Sequence, residues 1–460
     1  MPVRQLLPTA IAERLRARSA SLAGLGTLQD TAAADQDAYR QVLDRLAARL
    51  TDTYPYGSVQ YIGQMLKPPH PIAWAAYATT MLLNPNNHAL DGGPATAAME
   101  REAVAQLAAM FGYDPASSLG HLTSSGTIAN LEALWVAREL RPDGKVLYGA
   151  NAHYTHQRMC GLLGVPHESI AEDASGRMDL ESLERALAGG GVGTVVATLG
   201  TTGLGALDGI DQIAALTDRY CARLHVDAAY GGFFTLLAGA PQTGIPAAPF
   251  EALRRADSIV IDPHKHGLQP YGCGCVLFAD PAVGSLYKHD SPYTYFTSED
   301  LHLGEISIEC SRAGAAAAAL WATLQLLPLT PDGLGAHVAG ARAAALEVSR
   351  LLAADPGVAL VVEPQLDIVC PFARVERASE ITRSSERAFE QLAQLGWHAA
   401  KLRVDTQWLR RRHPWIEADA DSVTTLRCVL MKPEQRDSAG QIAAVLSEHL
   451  AGRRSGATRP

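Results

Sequence analysis

Asp227 closes the run Leu224-His225-Val226-Asp227, and Lys265 follows Ile261-Asp262-Pro263-His264, so each sets a charged group at the end of a run whose apolar pattern expects burial. A buried carboxylate is costly unless a cation or several donors meet it, and a buried lysine tends to lose its proton. Two readings answer both demands. One is an internal Asp–Lys ion pair. The other is a ligand with a protonatable ring nitrogen for the carboxylate and an aldehyde that a neutral lysine amine can hold as a Schiff base. The two residues alone do not choose between these.

Other runs bear on the choice. Thr123-Ser124-Ser125-Gly126-Thr127-Ile128-Ala129-Asn130 leads into a helical pattern, so its free N–H groups and hydroxyls form a candidate phosphate cradle as well as an ordinary helix cap. Leu199-Gly200-Thr201-Thr202-Gly203 follows an apolar strand and offers either a hydroxyl to a ligand or a plain turn. Taken in order, the chain presents a cradle, an imidazole at His153, Thr-Thr-Gly, a strand ending in Asp227, and a strand followed by Pro-His-Lys. Few needs other than holding pyridoxal phosphate assemble that order.

The elements that must position these residues follow from periodicity. Between about 97 and 330, helical patterns at 99–111, 127–140, 180–187 and 210–220 alternate with strand-like runs at 145–148, 192–199, 223–226, 258–261 and 274–278. That alternation predicts a mostly parallel sheet covered on both faces, with its site at the carboxyl ends of the strands. The breaker cluster at 328–333 marks a boundary. Beyond it, a helix at 337–352, strands at 358–363, 366–369 and 423–430, and helices at 385–395 and 438–450 read as a smaller α+β domain. The expected division is an N-terminal helical arm at 1–80, a large cofactor-binding α/β domain at 81–330, a small α+β domain at 331–452 and a disordered tail at 453–460.

Composition narrows the function classes. A net charge of −9 without a basic block speaks against nucleic-acid binding. The longest apolar stretch, 313–329, is interrupted by Thr323 and Gln325 and is too short for a membrane span, so it reads as a buried helix. Arg4, Glu13, Arg14, Arg16 and Arg18 make the N-terminus an amphipathic arm rather than a secretory signal. Seven scattered cysteines, an odd number, read as reduced thiols of a cytoplasmic protein. His153 and His156 have the spacing of a helical ligand pair, but no cysteine or carboxylate cluster accompanies them, and no metal is expected.

From about residue 61 to 430 the chain resembles the group II pyridoxal-phosphate-dependent amino acid decarboxylases, which have the aspartate-aminotransferase-like fold (fold type I). The resemblance is carried by Ala152-His153-Tyr154, by His225-Val226-Asp227-Ala228-Ala229-Tyr230-Gly231-Gly232-Phe233, by Asp257 through Lys265, and by Ser311-Arg312-Ala313-Gly314. Asp-Pro-His-Lys, the later Ser-Pro-Tyr and Ser-Arg-x-Gly are most similar to the archaeal-type tyrosine/aspartate decarboxylase branch. The resemblance implies that Lys265 carries the cofactor as a Schiff base, that Asp227 pairs with its ring nitrogen and that His153 stacks on its ring. Gly126, Thr127 and His264 would hold the phosphate, while Thr202 and Ala229 would line the ring. Ser311 and Gly314 correspond to a loop that approaches the neighbouring subunit's phosphate, which implies a homodimer with shared active sites.

The implied reaction is decarboxylation of an L-amino acid to the amine and carbon dioxide. Many relatives carry a proton-donating tyrosine in the loop after the lysine. Here the run is Ser298-Glu299-Asp300-Leu301-His302-Leu303-Gly304, which leaves His302 as the candidate acid, or Tyr293 or Tyr295 if the loop folds otherwise. Otherwise His302 is a solvent-exposed loop histidine. Loss of that tyrosine keeps decarboxylation coupled to oxidative deamination open; a carbon–carbon lyase of the sphingosine-phosphate-lyase kind is another reaction of the same cofactor, and a non-catalytic relative is a third alternative. Near the expected substrate pocket, Asn86, Asn87 and His88 suit a polar or acidic side chain, and Tyr61, Met65 and Trp74 an aromatic one.

Overall fold

Uninterrupted apolar runs such as Val192–Thr198 and Ser258–Ile261 have two faces to bury, which places them in the middle of a sheet rather than at its edge. The computed structural model describes residues 36–88, 92–288 and 307–452. Its main sheet has seven strands: β1 (Leu119–Thr123), β2 (Lys145–Gly149), β3 (His167–Ile170), β4 (Val192–Thr198), β5 (Arg223–Asp227), β6 (Ser258–Ile261) and β7 (Gly274–Phe278). Their order is β1-β7-β6-β5-β4-β2-β3. Strands β2 to β6 run parallel, and β7 is antiparallel to both β6 and β1. The expected α/β class with a mostly parallel sheet holds. Register brings the strand ends together, since Thr198 pairs with Asp227 and Asp227 with Val260.

The helices described are α1 (Gln36–Leu50), α2 (Pro71–Met81), α3 (Pro94–Met110), α4 (Gly126–Leu140), α5 (Thr155–Leu163), α6 (Leu180–Ala188), α7 (Ile210–Arg219), α8 (Gly314–Leu326), α9 (Leu334–Ala353), α10 (Ala378–Gln394), α11 (Thr406–Arg412) and α12 (Ala439–Leu450), beside several single turns. The long apolar stretch becomes α8, buried against α2 and α3. Among the described residues no helix is long and apolar enough to cross a membrane. After α9 come β8 (Val358–Leu360), β9 (Ile368–Val369), β10 (Pro371–Ala373), β11 (Ala400–Asp405) and β12 (Ser422–Val429). They form a β11-β12-β9 sheet and a β10-β8 pair, which share an apolar core with α9, α10 and α12. The N-terminal segment joins that sheet: Ile62 N donates to His398 O at 2.8 Å and Val429 N to Ile62 O at 2.8 Å. Arg4 to Arg18 and the tail at 453–460 lie outside the described residues.

One buried carboxylate ties this second region to the main sheet. Asp367, fully buried, accepts the Tyr230 hydroxyl at 2.5 Å and lies 3.0 Å from His266 Nε2. Tyr230 follows Ala229 and His266 follows Lys265, so a residue of the C-terminal region braces both strand-end motifs. Burial opposes the charge of Asp367, but His266, Tyr230 and Lys67 outweigh it and hold the carboxyl below its ordinary range. Because the unfolded chain then binds its proton more tightly, this stabilisation is complete above the unfolded carboxylate pKa of about 3.9 and disappears as pH falls through the lower folded value. Asp367→Asn should therefore destabilise the protein at neutral pH by about 3 to 5 kcal/mol, the scale for breaking a buried pair. Denaturant unfolding of parent and variant should show this difference shrinking in acid; a difference independent of pH would mean that the charge plays no part.

Candidate active site

Asp227 ends β5 beside the end of β4. Its Oδ2 accepts from His156 Nε2 at 2.9 Å, and its Oδ1 from the Ala229 N–H at 3.1 Å. Burial works against its charge, but the His156 hydrogen bond, the Lys265 charge and the Ala229 N–H outweigh it and hold the carboxyl well below the usual carboxylate range. The carboxylate is thus ionised although only 5% exposed. His153 stands just before α5, where its Nδ1 accepts from the Thr155 N–H at 3.2 Å, and burial pulls its pKa down.

The turn after β6 folds Lys265 back on its own strand end. Its N–H reaches Asp262 O at 2.9 Å and its Nζ lies 3.0 Å from Asp262 Oδ2. This corrects the ion-pair reading, because the carboxylate on Lys265 is Asp262, three residues back, while Asp227 is held by His156. His264 donates from Nδ1 to Cys273 O at 2.7 Å and lies against Tyr271, with ring centroids 4.7 Å apart.

The helix-cap role of the cradle run is observed, and its glycine and threonine lie at the pocket. Ser125 is the helix cap, its Oγ accepting from Ile128 N at 3.3 Å, while Gly126 and Thr127 face the pocket. A Cβ on Gly126 would stand 2.6 Å from both carboxylate oxygens of Asp262, so only glycine permits so close an approach at the start of α4. Asn130 donates to Gly126 O at 2.9 Å and accepts from His225 Nε2 at 2.8 Å. Burial brings the pKa of His225 down to about 3, so this second imidazole is neutral.

One pocket is lined by Gly126, Thr127, His153, Thr202, Asp227, Ala229, His264 and Lys265, which brings together eight of the residues singled out by sequence. It also takes in Asn130, Thr155, Thr198, Gly200, Tyr230 and Asp262, which the sequence reading did not select. Asp262 was legible as the second charge in Asp-Pro-His-Lys; the threonines carried no signal. Among the described residues Ser311 and Gly314 are outside this pocket. Ser311 accepts from Asn86 Nδ2 at 3.1 Å in a separate depression with Ser124, Glu309 and Arg312. A Cβ on Gly314 would meet Thr96 Oγ1 at 2.5 Å and Asn87 Oδ1 at 2.7 Å, so within the chain it serves close packing. His302, Tyr293 and Tyr295 lie outside the described residues.

The polar reading of Asn87 needs correction. It is 2% exposed, and both ends of its amide are spent: it donates to Glu100 Oε2 at 2.7 Å and accepts from Thr96 Oγ1 at 2.5 Å. Glu100 in turn binds Arg312 Nη1 at 2.5 Å and Leu122 N at 2.9 Å. That network satisfies buried polar groups and leaves no side-chain group of Asn87 for a substrate.

Three buried side-chain oxygens lining the pocket, Thr155 Oγ1, Thr198 Oγ1 and Asp262 Oδ1, have no hydrogen-bond partner among the described residues. Such orphans in a native fold point to a polar ligand. Together with a lysine amine, an ionised carboxylate at a parallel strand end and a helix N-terminus, they fit pyridoxal phosphate. Among the described residues no group of three His, Cys, Asp or Glu could hold a metal.

The sheet and this pocket define a fold type I pyridoxal phosphate enzyme. The chain belongs to the pyridoxal-dependent decarboxylase family, whose conserved domain matches residues 70–374, and its cofactor is pyridoxal phosphate. It is 29% identical to an L-tyrosine decarboxylase of Levilactobacillus brevis, over 64% of this chain and 63% of that protein. It is 30% identical to a probable L-aspartate decarboxylase of Thermococcus gammatolerans, over 81% and 94%. The chain thus spans less than two thirds of the Levilactobacillus protein but nearly all of the archaeal one. The crystal structure of mouse CSAD superposes with a TM-score of 0.76 at 22% identity, covering 90% of this chain and 88% of that one, a likeness of fold.

Proposed function

We propose that this chain is a carboxy-lyase that converts an L-amino acid to its amine and carbon dioxide. The observation that carries the proposal is the convergence of the Lys265 amine, the ionised Asp227 and the Gly126 cradle in one pocket at the carboxyl edge of the sheet. When bound, pyridoxal phosphate supplies an electron sink for the bond broken at the α-carbon. The residues around it do the rest. Lys265, now paired with Asp262, would hold the cofactor through its amine, Asp227 would face the ring nitrogen, and Gly126, Thr127 and His264 would hold the phosphate. His153, Thr202 and Ala229 would line the ring, and His302 would supply the proton that the product needs.

The proposal extends to a homodimer in the cytoplasm. Tyr39, Val42, Leu43, Leu46 and Leu50 form an apolar stripe on α1, each at least half exposed, which a second copy would cover. In that arrangement Ser311 and Gly314 serve the neighbour's site. All seven cysteines are free, which suits a reducing compartment. The division at about residue 330 belongs to the same reading, with the cofactor held mainly by the larger part.

Relatives named for tyrosine and for aspartate leave an aromatic or an acidic side chain as the substrate class. Incubating cofactor-saturated protein with each proteinogenic amino acid, while carbon dioxide, amine and peroxide are all followed, should give carbon dioxide and amine in equal amounts from one such substrate. Aldehyde with peroxide would replace this reading with oxidative deamination, and aldehyde without carbon dioxide with a lyase. No turnover of any amino acid would overturn it.

A further inference from the structure

His156 lies in the first turn of α5, three residues after His153, and is fully buried. Its Nε2 is 2.9 Å from Asp227 Oδ2, while its Nδ1 is buried with no hydrogen-bond partner among the described residues. The rings nearest to it are those of Tyr148 and His225, each with centroids 6.3 Å away. His225 is itself spent on Asn130 and on Ser258 Oγ at 2.9 Å. Among the described residues the only hydrogen-bond partner of the His156 side chain is therefore the carboxylate.

We infer that His156 is a positioning residue whose Nε2–H fixes the rotation of the Asp227 carboxylate and sustains its charge toward the cofactor's ring nitrogen. The inference rests on the reading of this pocket as the cofactor site. With His156 on Oδ2 and the Ala229 N–H on Oδ1, the carboxylate is gripped at both oxygens and cannot swing about its last torsion. Each oxygen can still accept a second hydrogen bond, so the grip leaves capacity for the ring N–H. A carboxylate held only by the Ala229 N–H would lose both orientation and the donor that offsets its burial. His156 acts through Asp227 alone and touches no reacting atom in this arrangement.

The test uses the full-length protein with His156→Leu, which removes the donor at similar bulk, and His156→Gln, whose amide N–H can stand near the position of Nε2. Pyridoxal phosphate is titrated into each apoprotein, the visible absorption of the lysine-bound cofactor is recorded, and kcat and KM are measured separately. The Leu variant should bind the cofactor about 10- to 100-fold more weakly, the range for losing one hydrogen bond to a charged group. Its absorption maximum should move, and kcat should fall by a similar factor while KM changes less than about threefold. The Gln variant should recover most of each loss. A folded Leu variant with parental cofactor affinity, spectrum and kcat overturns the inference. If Leu prevents folding, Gln decides, since parental affinity and spectrum support the donor role and a loss of both overturns it. Failure of the parent to bind the cofactor would instead sink the site reading itself.

Discussion

Lys265→Ala should bind no pyridoxal phosphate covalently and should lose turnover by roughly a thousandfold to a millionfold, the range for removing a covalent catalyst from an otherwise intact site. The expectation rests on geometry. Lys265 Nζ projects into the pocket that also holds Asp227 and the Gly126 cradle, and its present partner, Asp262, is bound through an ion pair that can exchange. Borohydride reduction of the parent followed by peptide mapping should place the cofactor on Lys265, and the variant should take up no label. Circular dichroism guards against a trivial cause, because the change leaves buried Asp262 without its cation. A label on another lysine, or an unlabelled parent saturated with cofactor, would reject the assignment.

Asp227→Asn should fold, still load at saturating cofactor although it binds it more weakly than the parent, and turn over roughly 100 to 1,000 times more slowly. An amide oxygen can accept from His156 or Ala229 as the carboxylate does, so most of the local geometry survives; what disappears is the negative charge that holds a proton on the ring nitrogen. Asp227→Ala removes the hydrogen bonds as well and should weaken cofactor retention further, with the difference between the two variants reporting geometry apart from charge. Near-parental kcat in the Asn variant would mean that Asp227 does not face the ring nitrogen.

Legibility in the sequence followed burial. Strands β4 to β7 were readable because mostly apolar runs leave a buried strand as the economical solution, and the ends of β4, β5 and β6 located five of the eight pocket residues, Thr202, Asp227, Ala229, His264 and Lys265. Edge strands were not readable. His167–Ile170 has only Ile170 buried, and Leu119–Thr123 carries a glycine and a histidine inside five residues. Ala400–Asp405 alternates Ala400, Leu402 and Val404 with Lys401, Arg403 and Asp405, a period-two signal that its charges disguised as loop. The residues missed at the site share another cause. Asn130, Thr155 and Thr198 become informative only once the backbone brings them to one place, and His156 reads from spacing as half of a ligand pair until Asp227 arrives beside it from another element.

The Asp367 brace has a consequence for how the protein comes into being. The Tyr230 hydroxyl finds its acceptor 137 positions further along the chain, and His266 relies on the same carboxylate. During synthesis from the N-terminus, the strands of the main sheet emerge well before Asp367, so the sheet can form while both motifs still lack their anchor. The nascent protein passes through a stage in which Lys265 and Asp227 exist but their flanking side chains are unsatisfied. Until Asp367 has been made, the residues flanking Lys265 and Asp227 lack their acceptor, so the pocket reaches its braced form only with translation of the C-terminal region.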